Sequence, residues 1–212
     1  MMRLHFGPIP DTAQIDLSDG WAAAKEPPAW LVQWVLSVPA AALLAFAAAV
    51  GVVHLTDISP DDMSLSGLVL VYFAMIPAHE LIHALFHPDR GLSTNTVLGF
   101  WPSRLIFFAH YEGQRTKGAF MLGIIAPFLF LSVAPLAVSG VLGWTSWIAG
   151  AVIVLNAALS AVDVLGFFFI AFGVPSAATV QNKGWYTYWR FSPSDASPPM
   201  PRAAASAPCR GR

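Results

Sequence analysis

Ser66-Gly67-Leu68-Val69-Leu70-Val71-Tyr72-Phe73-Ala74-Met75-Ile76 runs directly into Pro77-Ala78-His79-Glu80-Leu81-Ile82-His83. The first part is apolar enough to be a membrane span. The second reads H-E-x-x-H. On a helix its two histidines share one face, about 6 Å apart along the axis, so both imidazoles reach one metal ion. Glu80 between them is placed to handle a metal-bound water rather than to bind the metal. By itself the pattern is weak, because chance matches occur in many soluble chains. Within a span it carries more weight. An ionisable group there costs about 2.5–3.5 kcal/mol even on the lenient insertion scale, so its default reading is functional. The alternative is a purely structural polar cluster.

Composition sets the setting for that helix. Of 212 residues, 56% are hydrophobic and 11% are charged, where a soluble domain carries about 25% charged residues. The net charge of −1 gives no case for a nucleic-acid partner. Cys209 is the single cysteine, so an intrachain disulfide and a thiolate metal site are both excluded, and ligands must be histidine and carboxylate. Residues 1–30 mix Asp11, Asp16, Asp19, Lys25 and Glu26 with apolar residues and lack the apolar core of a signal peptide. They read as a cytoplasmic lead, with Trp21 and Trp30 as candidate interface markers.

Residues 31–175 read as a membrane domain of four spans: Leu31–Leu55 with Pro39 as a kink, Leu65–Phe86, Ala119–Leu142 and Ser146–Val174. With the N-terminus inside, all 11 Lys and Arg residues fall on inner segments. The loop Thr56–Ser64 has none and carries Asp57, Asp61 and Asp62. The positive-inside rule then puts both termini in the cytoplasm of a multi-pass cell-membrane protein. Within the loop 87–118, Thr96–Phe100 and Arg104–His110 have strand composition, and Trp101-Pro102-Ser103 can turn between them. Residues 176–212 read as a cytoplasmic, largely disordered tail. The expected fold is therefore an all-α integral membrane protein. It has four transmembrane helices and a small cytoplasmic β-hairpin between helices 2 and 3.

Two histidines and a water leave a zinc site one protein ligand short. Asp163 is the remaining carboxylate in a span. Asn156, Ser160 and Asp163 fall at i, i+4 and i+7 on one helix face, a polar stripe that must turn away from lipid. The expected ligands are His79, His83 and Asp163, with Asn156 and Ser160 supporting them or facing substrate. A helix-packing role for the stripe stays open. His87 lies about 12 Å from His79 along the axis, too far to share one ion. His110 could reach in from the loop.

The chain resembles the zincin peptidases grouped as DUF3267, which are similar to site-2 intramembrane metalloproteases. The resemblance rests on His79-Glu80-Leu81-Ile82-His83, the Gly99-to-Gly113 hairpin, Ala126-Pro127-Phe128-Leu129 and Asn156 through Asp163. It departs from the site-2 pattern at Leu159 and Val164, where proline and glycine are usual. It implies a zinc-dependent peptidase acting on a membrane protein or peptide within the lipid bilayer, with Zn2+ on His79, His83 and Asp163 and Glu80 as the base. A non-catalytic metal-binding membrane protein is the alternative. A metal transporter would want polar residues through several spans, and spans one and three supply almost none.

Overall fold

Long apolar runs make the helices, and side-chain caps fix the starts of two of them. The computed structural model describes residues 1–56, 64–143 and 146–191. Helix α1 spans Ser37–Leu55 and follows a widened π segment, Leu31–Leu36. Pro39 has no N–H to offer the Val35 carbonyl, and the widened turn lies where that bond is missing. Helix α2 spans Leu65–Leu85; Ser64 caps it by accepting from the Gly67 N–H at 3.1 Å. Helix α3 (Lys117–Phe128) is capped by Thr116 and continues through a π segment, Leu129–Val133, into α4 (Ala134–Leu142). Two shorter helices follow, α5 (Trp147–Leu159) and α6 (Ala161–Gly173).

Among the described residues, three helices are long and apolar enough to cross a membrane: α1, α2 and the continuous Lys117–Leu142 rod. The expected fourth span is broken. α5 and α6 meet at a 49° bend at Ser160, whose ψ of 4° interrupts the helix. Hydropathy reports that residues 146–174 are apolar, and it says nothing about their direction. Leu43, Phe46, Leu70, Phe73, Val141 and Phe172 stand exposed along the helices, the surface a lipid-facing bundle presents. Inside, α1 packs on α5 through Ala48, Val52, Ile153 and Ala157.

The all-α expectation is wrong, because two β-sheets accompany the helices. Strands β3 (Thr96–Trp101) and β4 (Ile106–Tyr111) pair antiparallel around Pro102–Arg104, and β1 (Arg3–Phe6) adds to β3 in parallel, giving the order β1-β3-β4. Gly99 faces Phe108 across this sheet. A Cβ there would lie 2.2 Å from the ring, so only glycine lets the ring fold inward. The second sheet runs β2-β7-β6-β5, from Ala22–Ala23, Tyr186–Phe191, Ala178–Lys183 and Arg115–Thr116. β6 and β7 join through Gly184-Trp185, with Gly184 at φ 57°, the Gly-first two-residue loop that suits a hairpin. Thus the N-terminal lead supplies two strands, and the start of the expected tail supplies two more. Trp21 lies buried under the Arg190 guanidinium. The acidic stretch 57–63, the turn residues 144–145 and the Ser/Pro/Ala-rich segment 192–212 lie outside the described residues.

Candidate metal centre

The second half of α2 aims His79 and His83 at the top of α6. His79 Nε2 lies 3.1 Å from Asp163 Oδ2 and 3.2 Å from His83 Nε2, and His83 Nε2 lies 3.5 Å from Asp163 Oδ1. Ligand atoms of these three side chains all fall within 4.8 Å of one another, and they could hold a metal ion. Asp163 reaches them from beyond the Ser160 bend, although the stripe was read on one straight helix.

The hydrogen bonds around the histidines fix which ring nitrogen is free. Ser132, in the π segment after α3, donates its hydroxyl to the Ile153 carbonyl at 2.9 Å. Its oxygen is then an acceptor for Asn156 Nδ2, which also donates to the Pro127 carbonyl, at 2.9 and 3.0 Å. Both Asn156 donors are used, so its Oδ1 is the acceptor facing His79 Nδ1 at 2.8 Å, and His79 must donate. His83 Nδ1 lies 2.8 Å from the Gly123 carbonyl, which can only accept. Each Nε2 therefore carries a lone pair when the ring is neutral.

Two lone pairs and a carboxylate point at one another, and a cation placed between them satisfies all three. The spacing fits. Bonds of 2.0–2.1 Å in a tetrahedral zinc site put ligand atoms about 3.3 Å apart, against 3.2 Å between the two Nε2 atoms, 3.1 Å from His79 to one Asp163 oxygen (Oδ2) and 3.5 Å from His83 to the other (Oδ1). The protein thus supplies three ligand atoms of suitable type and separation, with outer hydrogen bonds that orient both rings.

Pro127 explains the His83 bond. In a helix the N–H of residue 127 would bond the carbonyl of residue 123. Proline has no N–H, so the Gly123 carbonyl is left for His83. Ser132 and Gly123 were missed in the sequence as parts of the site. A lone serine in an apolar span and a proline four residues after a glycine were the available signals. Ser160 Oγ is buried without a hydrogen-bond partner. His110, in β4, and His87, just after α2, both lie outside the cluster.

A cavity of about 340 Å³ opens beside the three side chains and is lined by Glu80, Leu105–Ala109, His87 and Arg115 as well. Glu80 faces the backbone N–H of Ala109. β4 is an edge strand, and the Glu112 N–H bonds Asn95 O at 2.9 Å on the β3 side. Ladder bonds therefore fall on even-numbered residues, and the backbone groups of Phe107 and Ala109 point out of the sheet.

An H-E-x-x-H helix whose histidines meet a third donor is the arrangement of a zincin-type site. Residues 72–179, half of the chain, match the model of DUF3267, described as "putative zincin peptidase", and the chain belongs to that family. Membership implies zinc and places the chain among the zinc metallopeptidases at the level of family. No curated protein and no solved structure matches it.

Proposed function

We propose that this protein is a zinc-dependent intramembrane metallopeptidase that hydrolyses a peptide bond in or near a membrane segment. The supporting observation is the triangle of His79 Nε2, His83 Nε2 and an Asp163 oxygen, set within apolar helices and next to Glu80. His79, His83 and Asp163 hold the metal. Zinc, when bound, supplies Lewis acidity toward a carbonyl and makes a neighbouring water more acidic. Glu80 takes the proton of the attacking water on its carboxylate and returns it to the leaving amine. Asn156 and the Gly123 carbonyl hold the imidazoles in the tautomer that this requires. Ser160, buried at the bend, faces the same helix junction.

A membrane helix hides its carbonyls in its own hydrogen bonds, so a substrate segment must open before cleavage. The outward N–H and carbonyl of Phe107 and the carbonyl of Ala109 offer it an edge to pair with, directly beside Glu80, which holds the Ala109 N–H. The substrate is a membrane protein or peptide. The bundle lies in the cell membrane with the bent α5–α6 pair crossing as one broken span, so that both termini and the hairpin lie on the cytoplasmic side, where the basic residues collect.

Glu80→Gln tests the chemistry. The variant keeps one zinc per chain by atomic absorption and loses cleavage of a membrane substrate by 10²-fold or more, on the order expected for removing a general base. Wild-type cleavage by this variant would remove Glu80 as the base. Zinc bound with no proteolysis by the wild type, in a proteomic comparison of the two membranes, would leave a metal-binding protein without catalysis. Asp163→Ala loses as much zinc as His83→Ala; full occupancy would mean a different third ligand.

A further inference from the structure

The wall of the cavity near α3 carries a charge that hydrolysis leaves unused. Arg115, on β5, points its guanidinium over the Phe120 ring at 4.7 Å and the Tyr111 ring at 5.4 Å. No carboxylate among the described residues pairs with it. Glu112 is taken by Arg3 and by Thr12, and Asp163 by the histidines. Burial holds the Arg115 pKa down, to about 10, and the guanidinium remains a cation at neutral pH. Two ring contacts offset only part of the cost of desolvating that charge. The Arg115 guanidinium also sits against Gly123, where an added Cβ would come within 3.4 Å of Nη1. Gly123 is the residue whose carbonyl holds His83. The cation is therefore one residue's breadth from the metal cluster.

His87 stands beside it. It is buried, packs at a tilt on Tyr111 with ring centroids 5.3 Å apart, lines the same cavity, and its Nδ1 has no hydrogen-bond partner. We propose that Arg115, with His87 next to it, is a substrate carboxylate subsite, so that the peptide drawn into the cavity carries a negative charge to one side of the scissile bond. The planar fork of a guanidinium matches a carboxylate bidentately, and its dry setting strengthens the pair. The carboxylate is either the free C-terminus of the peptide or an acidic side chain. Only the cleavage arm of the proposal rests on the metallopeptidase reading; binding does not need the metal.

The test uses the full chain in detergent, stripped of metal by a chelator, and three N-acetylated apolar tripeptides. One is a free acid, one its amide, and one an amide with a glutamate side chain. Titration calorimetry should show the free acid or the glutamate peptide binding at least about tenfold tighter than the plain amide. Arg115→Gln should erase that difference, and Arg115→Lys, which keeps the charge and loses the fork, should keep part of it. If Arg115→Gln does not fold, the wild-type and Arg115→Lys comparisons decide. Equal binding of all three peptides by the wild type overturns the subsite, as does a preference that survives Arg115→Gln. Equal peptide binding together with stabilisation by phosphatidylglycerol vesicles that depends on Arg115 assigns the cation to a lipid headgroup and also overturns it. With zinc restored, cleavage without an acid preference removes the subsite and leaves the peptidase. An acid preference in binding without cleavage removes the peptidase and leaves the subsite.

Discussion

His83 donates its Nδ1–H to the carbonyl of Gly123 across 2.8 Å, and that carbonyl is available because residue 127 is proline. A helix-breaking residue in α3 thereby orients a ring on α2. Pro127→Ala gives α3 back an N–H that competes for the same carbonyl. The helix gains an ordinary bond, and His83 loses its fixed partner. Zinc affinity, read by competition with a chelator, should fall by about 10–100-fold, the usual effect of removing an outer partner of a ligand histidine. The thermal midpoint should hold or rise. An unchanged zinc affinity would mean that the Gly123 contact does not orient His83.

The legible parts of this structure were those in which one residue type has one reason to be present. His79 and His83 on an apolar helix signal a site, and Asp163 is the only other carboxylate in a span, so the cluster could be named from sequence. The hairpin strands were visible from β-branched and aromatic runs on either side of Trp101-Pro102-Ser103. The sheets were hidden because β1 and β2 are short and draw their hydrogen bonds from segments about 90 and 165 residues away. Gly184-Trp185 between two strand-like runs is a hairpin signal, and the Ser/Pro/Ala-rich composition that follows it masks that signal. The Ser160 bend has no proline or glycine to announce it.

Asn156 carries the other ring. It is fully buried and joins Pro127, Ser132 and His79 in one network. Asn156→Ala leaves the His79 Nδ1–H and the Ser132 oxygen without their partner. Each orphaned group costs about 1–3 kcal/mol, so the variant should unfold earlier in detergent. Its zinc affinity should fall by about 10–100-fold as His79 becomes free to turn. Ser132→Ala removes one link farther out. It orphans one Asn156 N–H and the Ile153 carbonyl, so it should destabilise on the order of 2–4 kcal/mol, yet change zinc affinity much less. Equal zinc losses in the two variants would contradict the order of the chain.

Substrate pairing with β4 depends on which backbone groups face outward. Phe107→Pro removes an N–H from the open edge without touching the bonds to β3. It should bind zinc normally and lose cleavage of a membrane substrate through a higher KM. Ile106→Pro strikes a position on the ladder side and should weaken the hairpin itself, seen as a lower thermal midpoint. Unchanged KM in a folded Phe107→Pro protein would end the strand-addition reading and leave the metal site untouched.

Acid should unfold this protein before any carboxylate titrates in the ordinary range. Burial, then the charge of Arg115, lowers the His87 pKa to about 3. Burial lowers that of His110 to about 4 against the opposing charge of Glu112, with Arg115 and Arg3 adding smaller contributions in the same direction as burial. Both are neutral when folded, while an unfolded histidine takes a proton near pH 6.5. Below that value the unfolded chain binds more protons than the folded one, so stability falls as pH falls. The contribution is complete above about pH 6.5 and is lost on the way to pH 4, on the order of 3 kcal/mol for each group. Urea unfolding in detergent between pH 7.5 and 4 should show this slope, with about two protons taken up on unfolding. His87→Phe keeps a ring against Tyr111 and removes one titrating group, so the uptake should drop to about one. If the slope is flat, or the same in the variant, His87 is protonated in the folded protein and its ring is not sealed from water.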